Sequence, residues 1–100
     1  MNLTEKHKKQ LRKLGHSLKP VVIIAGQGLK ETVIDATNEA LDAHELIKIR
    51  LRAGDRDERK QILESLTEQT AATLVGQIGF TALLFRRNRK KPKIDFAKRS

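Results

Sequence analysis

One hundred residues, 38% of them hydrophobic, make one domain with a modest core. The chain has no cysteine, which excludes a disulfide framework and a thiolate metal centre, and its longest clean apolar run, Val21 to Ala25, is far too short to span a bilayer. The formal net charge of +9 lies at the ends: residues 1–19 carry +5 and 86–100 carry +7, whereas 20–85 carry −3. Such clustering points to nucleic acid or another anionic surface. The N-terminus lacks the apolar stretch of a signal peptide, so the expected protein is soluble and cytoplasmic, with no membrane partner.

Leu3, His7, Leu11, Leu14 and Leu18 recur at spacings of four and three, the stripe of an amphipathic helix. Thr4 is placed to cap it, and Pro20 ends it by disfavouring helical geometry at Lys19. Lys6, Lys9 and Lys13 share another face, with Lys8 and Arg12 beside them. Val21 to Ile24 follow as a strand without alternation, so both of its faces are expected to be covered. A turn holding Gly26 and Gly28 runs straight into a second helix over 30–44, with apolar positions at Val33, Ile34, Thr37, Leu41 and His44. A strand that breaks through glycines into a helix N-terminus offers backbone N–H groups to an anion.

Leu46 to Arg52 is the clearest strand pattern, with Ile47, Ile49 and Leu51 on one side and Lys48, Arg50 and Arg52 on the other. At a rise of ~3.3 Å per residue the three cations stand about 7 Å apart, comparable to the phosphates of a nucleic-acid strand. Asp55, with Glu58 three residues on, opens a third helix whose inner stripe is Ile62, Leu63, Leu66 and Thr70. Thr73–Ile78 and Thr81–Phe85 flank Gly79-Phe80 and read as a hairpin. Residues 87–100 are mostly charged, interrupted by Pro92, and predict a mobile basic tail after a domain over 1–86. The expected fold is α/β, two layers in the order αβαβαββ, with a four-stranded mixed sheet that gains one antiparallel strand from the hairpin.

Catalytic chemistry is not evident. His7, His16 and His44 fall in different patterns without metal-site spacing, and His7 and His44 sit on apolar stripes that predict packed histidines. Gly26 and Gly28 lack the Lys-Ser or Lys-Thr of a Walker loop. The three aromatic residues are Phe80, Phe85 and Phe96, and only Phe80, at a turn, is placed to stack on a base. An RNA ligand is therefore expected to be held by backbone and shape more than by base reading. Three other readings stand beside this one: a duplex-binding protein, an enzyme for a small phosphorylated ligand, and a module using its basic ends on acidic proteins.

Several blocks occur together in a specific order: Leu14-Gly-His-Ser-Leu-Lys-Pro-Val-Val22, Gly28-Leu29 opening a helix, His44-Glu-Leu-Ile-Lys-Ile49, Gln77-Ile-Gly79 and Leu83-Leu-Phe-Arg86. Over residues 3–88 the chain resembles the YhbY family, the single-domain bacterial form of the CRM (chloroplast RNA splicing and ribosome maturation) domain. The resemblance implies a fold like the C-terminal domain of translation initiation factor three. It also implies an RNA-binding assembly factor for precursors of the large (50S) ribosomal subunit, acting without cofactor or catalysis and expected as a monomer. The family's GxxG loop maps onto Ala25-Gly26-Gln27-Gly28, where missing side chains let backbone approach the nucleic acid.

Three positions depart from the family pattern. Ala25 replaces the first loop glycine, Lys30 replaces the capping threonine of the second helix, and Ala71 replaces a glycine at the end of the third. The literal Gly76-Gln77-Ile78-Gly79 is a decoy, read as a strand position and a hairpin turn. The residues expected to hold RNA are thus Ala25, Gly26, Gln27, Gly28 and Lys30 in the loop, and Lys6, Lys9, Arg12 and Lys13 on the first helix. Lys48, Arg50 and Arg52 on the sheet face, and Arg86 and Arg87 where the basic tail begins, complete the set.

Overall fold

The computed structural model describes residues 3–25, 29–52 and 54–94. The elements follow in the expected order: α1 (Glu5–Gly15), β1 (Pro20–Ile24), α2 (Glu31–His44), β2 (Leu46–Leu51), α3 (Arg56–Thr70), β3 (Thr73–Ile78) and β4 (Thr81–Phe85). Strands are arranged β1-β2-β4-β3, with β1 parallel to β2 and β4 antiparallel to both of its neighbours. The hairpin strand thus inserts between β2 and β3 rather than extending the sheet. The helix starts are set by short side chains. Thr4 accepts from His7 N at 3.1 Å and Asp55 from Glu58 N at 2.9 Å, each satisfying a backbone donor of the first turn.

One sheet face, bearing Val22, Ile24, Ile47, Ile49, Leu51, Ala82 and Leu84, packs against Leu41 of α2 and Leu63 and Leu66 of α3. On the opposite face α1 covers only part of the sheet, with Leu11 buried among Leu46, Val75 and Phe85. Full burial of such a side chain contributes about 2 kcal/mol. Gly15 lets α1 settle onto β4, since a Cβ there would stand 2.4 Å from Leu83 Cδ1.

Several expectations are corrected. β1 is an edge strand, and its outer residues Val21 and Ile23 are half-exposed, because α1 lies over β2, β4 and β3 and stops short of it. His44 is exposed at the last turn of α2. The next residue, Glu45, turns inward at φ 64° and is completely buried. His7 is half-buried and joins the cap of α1, its Nδ1 accepting from Thr4 N at 3.4 Å.

Within the segment expected to be a mobile tail, residues 88, 93 and 94 bond to Glu45, and residues 95–100 lie outside the described residues. Glu45 Oε2 accepts from Asn88 N at 2.6 Å, and Oε1 accepts from Lys93 N and from Ile94 N at 2.9 Å. Arg87 Nη1 adds a bond to Ile94 O at 2.6 Å. A buried carboxylate is tolerated when backbone donors surround it in this way.

Candidate nucleic-acid interface

The parallel pairing of β1 and β2 and the return of β4 bring three loops to one end of the sheet. These begin at Ala25 and at Arg52 and include the Gly79-Phe80 turn; residues 26–28 and 53 lie outside the described residues. Arg52 N donates to Ile24 O at 2.8 Å and Leu51 N to Phe80 O at 2.7 Å, tying the three together. Ala25 is exposed at this end. Among the described residues the non-glycine positions at positive φ are Glu45 and Ala71, so Ala25 keeps an ordinary backbone where the family pattern has glycine. Gly26, Gln27 and Gly28 lie outside the described residues. Lys30 is the exposed N-cap of α2 and makes no side-chain cap, so it stands at the helix N-terminus with its side chain uncommitted to the backbone.

Below these loops α1 leaves part of the sheet uncovered. A row of paired residues crosses it: Ile23, Arg50, Thr81 and Ile78. Arg50 is exposed, Ile23 is 50% exposed and Ile78 76% exposed. In the next row Lys48 faces a cavity of about 260 Å³ shared with Arg12 and His16 of α1. Cations from two elements distant in sequence thus converge on one open surface. Lys6, Lys9 and Lys13 continue it along α1, lining with Arg12 and His16 a shallow groove of about 830 Å³. Arg12 is partly committed: its Nη1 donates to Val75 O at 3.0 Å and its stem lies across Gly76. Arg52 is exposed just beyond β2. Gly76 is a strand residue and Gly79, at φ 57°, a turn residue, which accounts for the decoy GxxG.

Arg86 and Arg87 stand apart from this surface. Arg86 Nη1 donates to Asn38 Oδ1 at 2.7 Å and Thr70 O at 2.8 Å, and its Nη2 to Asp42 Oδ1 at 2.7 Å and Asn38 O at 3.1 Å. It ties α2 to the end of α3. Arg87 is held by Ile94 O and approaches Glu45 Oε1 at 3.4 Å. Both guanidinium groups are turned to the fold itself, whereas the sequence pattern placed them at the start of a free basic tail. The role of Glu45 was not foreseen; its only sequence signal is its place in the His44-to-Ile49 block.

Among the described residues no cluster of three or more His, Asp or Glu side chains is placed to hold a metal ion, and no helix is long and apolar enough to cross a membrane.

The family described as the CRS1 / YhbY (CRM) domain matches residues 3–86. A Pseudomonas aeruginosa relative named "Probable RNA-binding protein PA4753" is 45% identical over 93 residues, which cover 93% of this chain and 89% of that one. A Haemophilus influenzae relative named "RNA-binding protein" is 38% identical over 84 residues, covering 84% and 85% of the two chains. The solution structure of Staphylococcus aureus SAV1595, described there as a candidate RNA-binding protein, superposes with a TM-score of 0.82 at 32% identity, covering 94% of this chain and 98% of that one.

Proposed function

Because the chain belongs to the CRS1/YhbY (CRM) domain family, we propose that it is a non-catalytic RNA-binding protein. Its ligand in this reading is ribosomal RNA of the precursor large subunit, met in the cytoplasm during assembly. The observation that carries the proposal is the convergence of Arg12 and Lys48, with Arg50 beside them, at the margin of α1 where it leaves the sheet face open. A solvated basic helix alone would leave its cations unrelated to those of the sheet. Here α1 and β2 form one positive surface, and the α2 N-terminus with Lys30 adds a second group of donors at its upper end. Phosphates along one strand would meet these groups in sequence, positioned by charge.

The test is binding of a ribosomal RNA fragment across a salt series, followed by co-sedimentation with precursor and mature subunits. Affinity is expected to fall steeply with salt, with a slope near −0.7 per phosphate engaged for single strands. The protein is expected to travel with precursor large subunits. Binding that is flat with salt overturns the electrostatic part, and equal preference for duplex DNA overturns the RNA assignment. Recovery with messenger RNA alone overturns the assembly role.

A further inference from the structure

We infer that the ring of Phe80, backed by the guanidinium of Arg59, is a stacking platform for one unpaired nucleobase. This rests on the RNA-binding reading and specifies its ligand as a strand with a splayed base at the loop end of the sheet.

Phe80 occupies the second position of a two-residue hairpin turn whose first residue, Gly79, has φ 57°. Hairpin turns of this kind ask for glycine at the first position and accept polar residues at the second. An aromatic ring there is not required by the turn. Nor is it core, since Phe80 is 54% exposed, whereas Phe85 is 3% exposed. The Arg59 guanidinium lies 4.5 Å from the ring centroid. With one face taken by Arg59, the other face and the edge are what the ring has left to offer a base. That is the geometry a base needs to stack.

The platform is held rigid from both sides. Phe80 O accepts from Leu51 N at 2.7 Å, fixing the turn to β2. Arg59 Nη1 donates to Gly54 O at 2.8 Å, fixing the guanidinium to the neighbouring loop. Arg59 Nε is buried without a hydrogen-bond partner. The guanidinium thus lies against the ring while bonded to the neighbouring loop. Exposed Arg52 and Arg56 belong to the loop and helix start beside the turn. A strand whose phosphates follow those cations would carry a base toward Phe80. Stacking tolerates any base, so the platform favours unpaired over paired RNA without fixing sequence.

The probes are a labelled twelve-nucleotide oligoadenylate and inorganic polyphosphate, which presents phosphates without bases. Phe80→Leu is expected to bind the oligonucleotide about ten-fold more weakly and polyphosphate as the parent does. Phe80→Trp is expected to keep affinity, with indole fluorescence quenched by the oligonucleotide and not by polyphosphate. Parent protein that binds the oligonucleotide while Phe80→Leu stays within two-fold of it, or a tryptophan left unquenched, overturns the platform alone. Parent protein that binds neither probe overturns the RNA-binding reading and the platform with it.

Discussion

The Glu45 carboxylate holds the backbone of Asn88 at 2.6 Å, joining the end of α2 to a segment 43 residues later. The side chain is completely buried and also receives the Lys93 and Ile94 N–H groups. Glu45→Ala leaves those donors without their acceptor and releases the 88–94 segment. A loss of about 3 kcal/mol is expected, read by urea unfolding. Limited proteolysis should cut between 88 and 94 in the variant before it cuts the parent.

Arg86 separates stability from binding. Arg86→Gln removes the bonds to Asn38, Thr70 and Asp42, which should cost about 2 kcal/mol in denaturant unfolding. RNA affinity per folded molecule should change less than about two-fold, because a guanidinium turned to the fold engages no phosphate.

The left-handed C-cap of α3 is an alanine, Ala71, at φ 58° and ψ 28°. Glycine adopts this conformation without the Cβ clash. Ala71→Gly should therefore stabilise the domain by about 1 kcal/mol, raising Tm by roughly 4–8 °C. Calorimetry checks this, and an unchanged or lowered Tm would contradict it.

Lys30 pits stability against charge. Lys30→Thr supplies the side-chain cap that α2 lacks, worth about 1 kcal/mol. It also removes a cation from the α2 N-terminus. Thermal stability should rise while RNA affinity falls, a pair of opposite changes that a purely structural lysine would not give.

The open sheet face should be visible in the salt dependence. The double variant Lys48→Gln, Arg50→Gln removes two cations without touching the helix-side core, since Ile47, Ile49 and Leu51 face the other way. The slope of log affinity against log salt should shrink by about 1.4 for a single-stranded ligand, with the urea midpoint little changed.

What could be read from the sequence was local. The alternation from Ile47 to Leu51 assigned those side chains of β2 to their faces, and Thr4 and Asp55 marked helix starts through bonds to residues three positions on. Gly79 marked the hairpin because the turn needs its backbone. β1 was misread because an unbroken apolar run does not say which of its faces another element covers; that depended on where α1 stopped. The partners of Arg86 and Arg87 are remote in sequence: Asp42 is 44 positions from Arg86, and Glu45 is 42 from Arg87. Composition makes such residues look like a basic tail. Arg59 and Phe80 come from separate elements, and only the packing of α3 against the hairpin brings them face to face.

The anchoring of residues 88–94 on Glu45 also orders events in time. Glu45 is synthesised first, and its backbone partners follow 43 to 49 residues later. A nascent chain that has reached Phe85 holds every strand of the sheet but still carries an unsatisfied acid at the end of α2. Residues 88–94 are therefore the latch that closes the domain once they have been made. A protease trimming the C-terminus back to residue 86 would undo it while sparing every helix and strand.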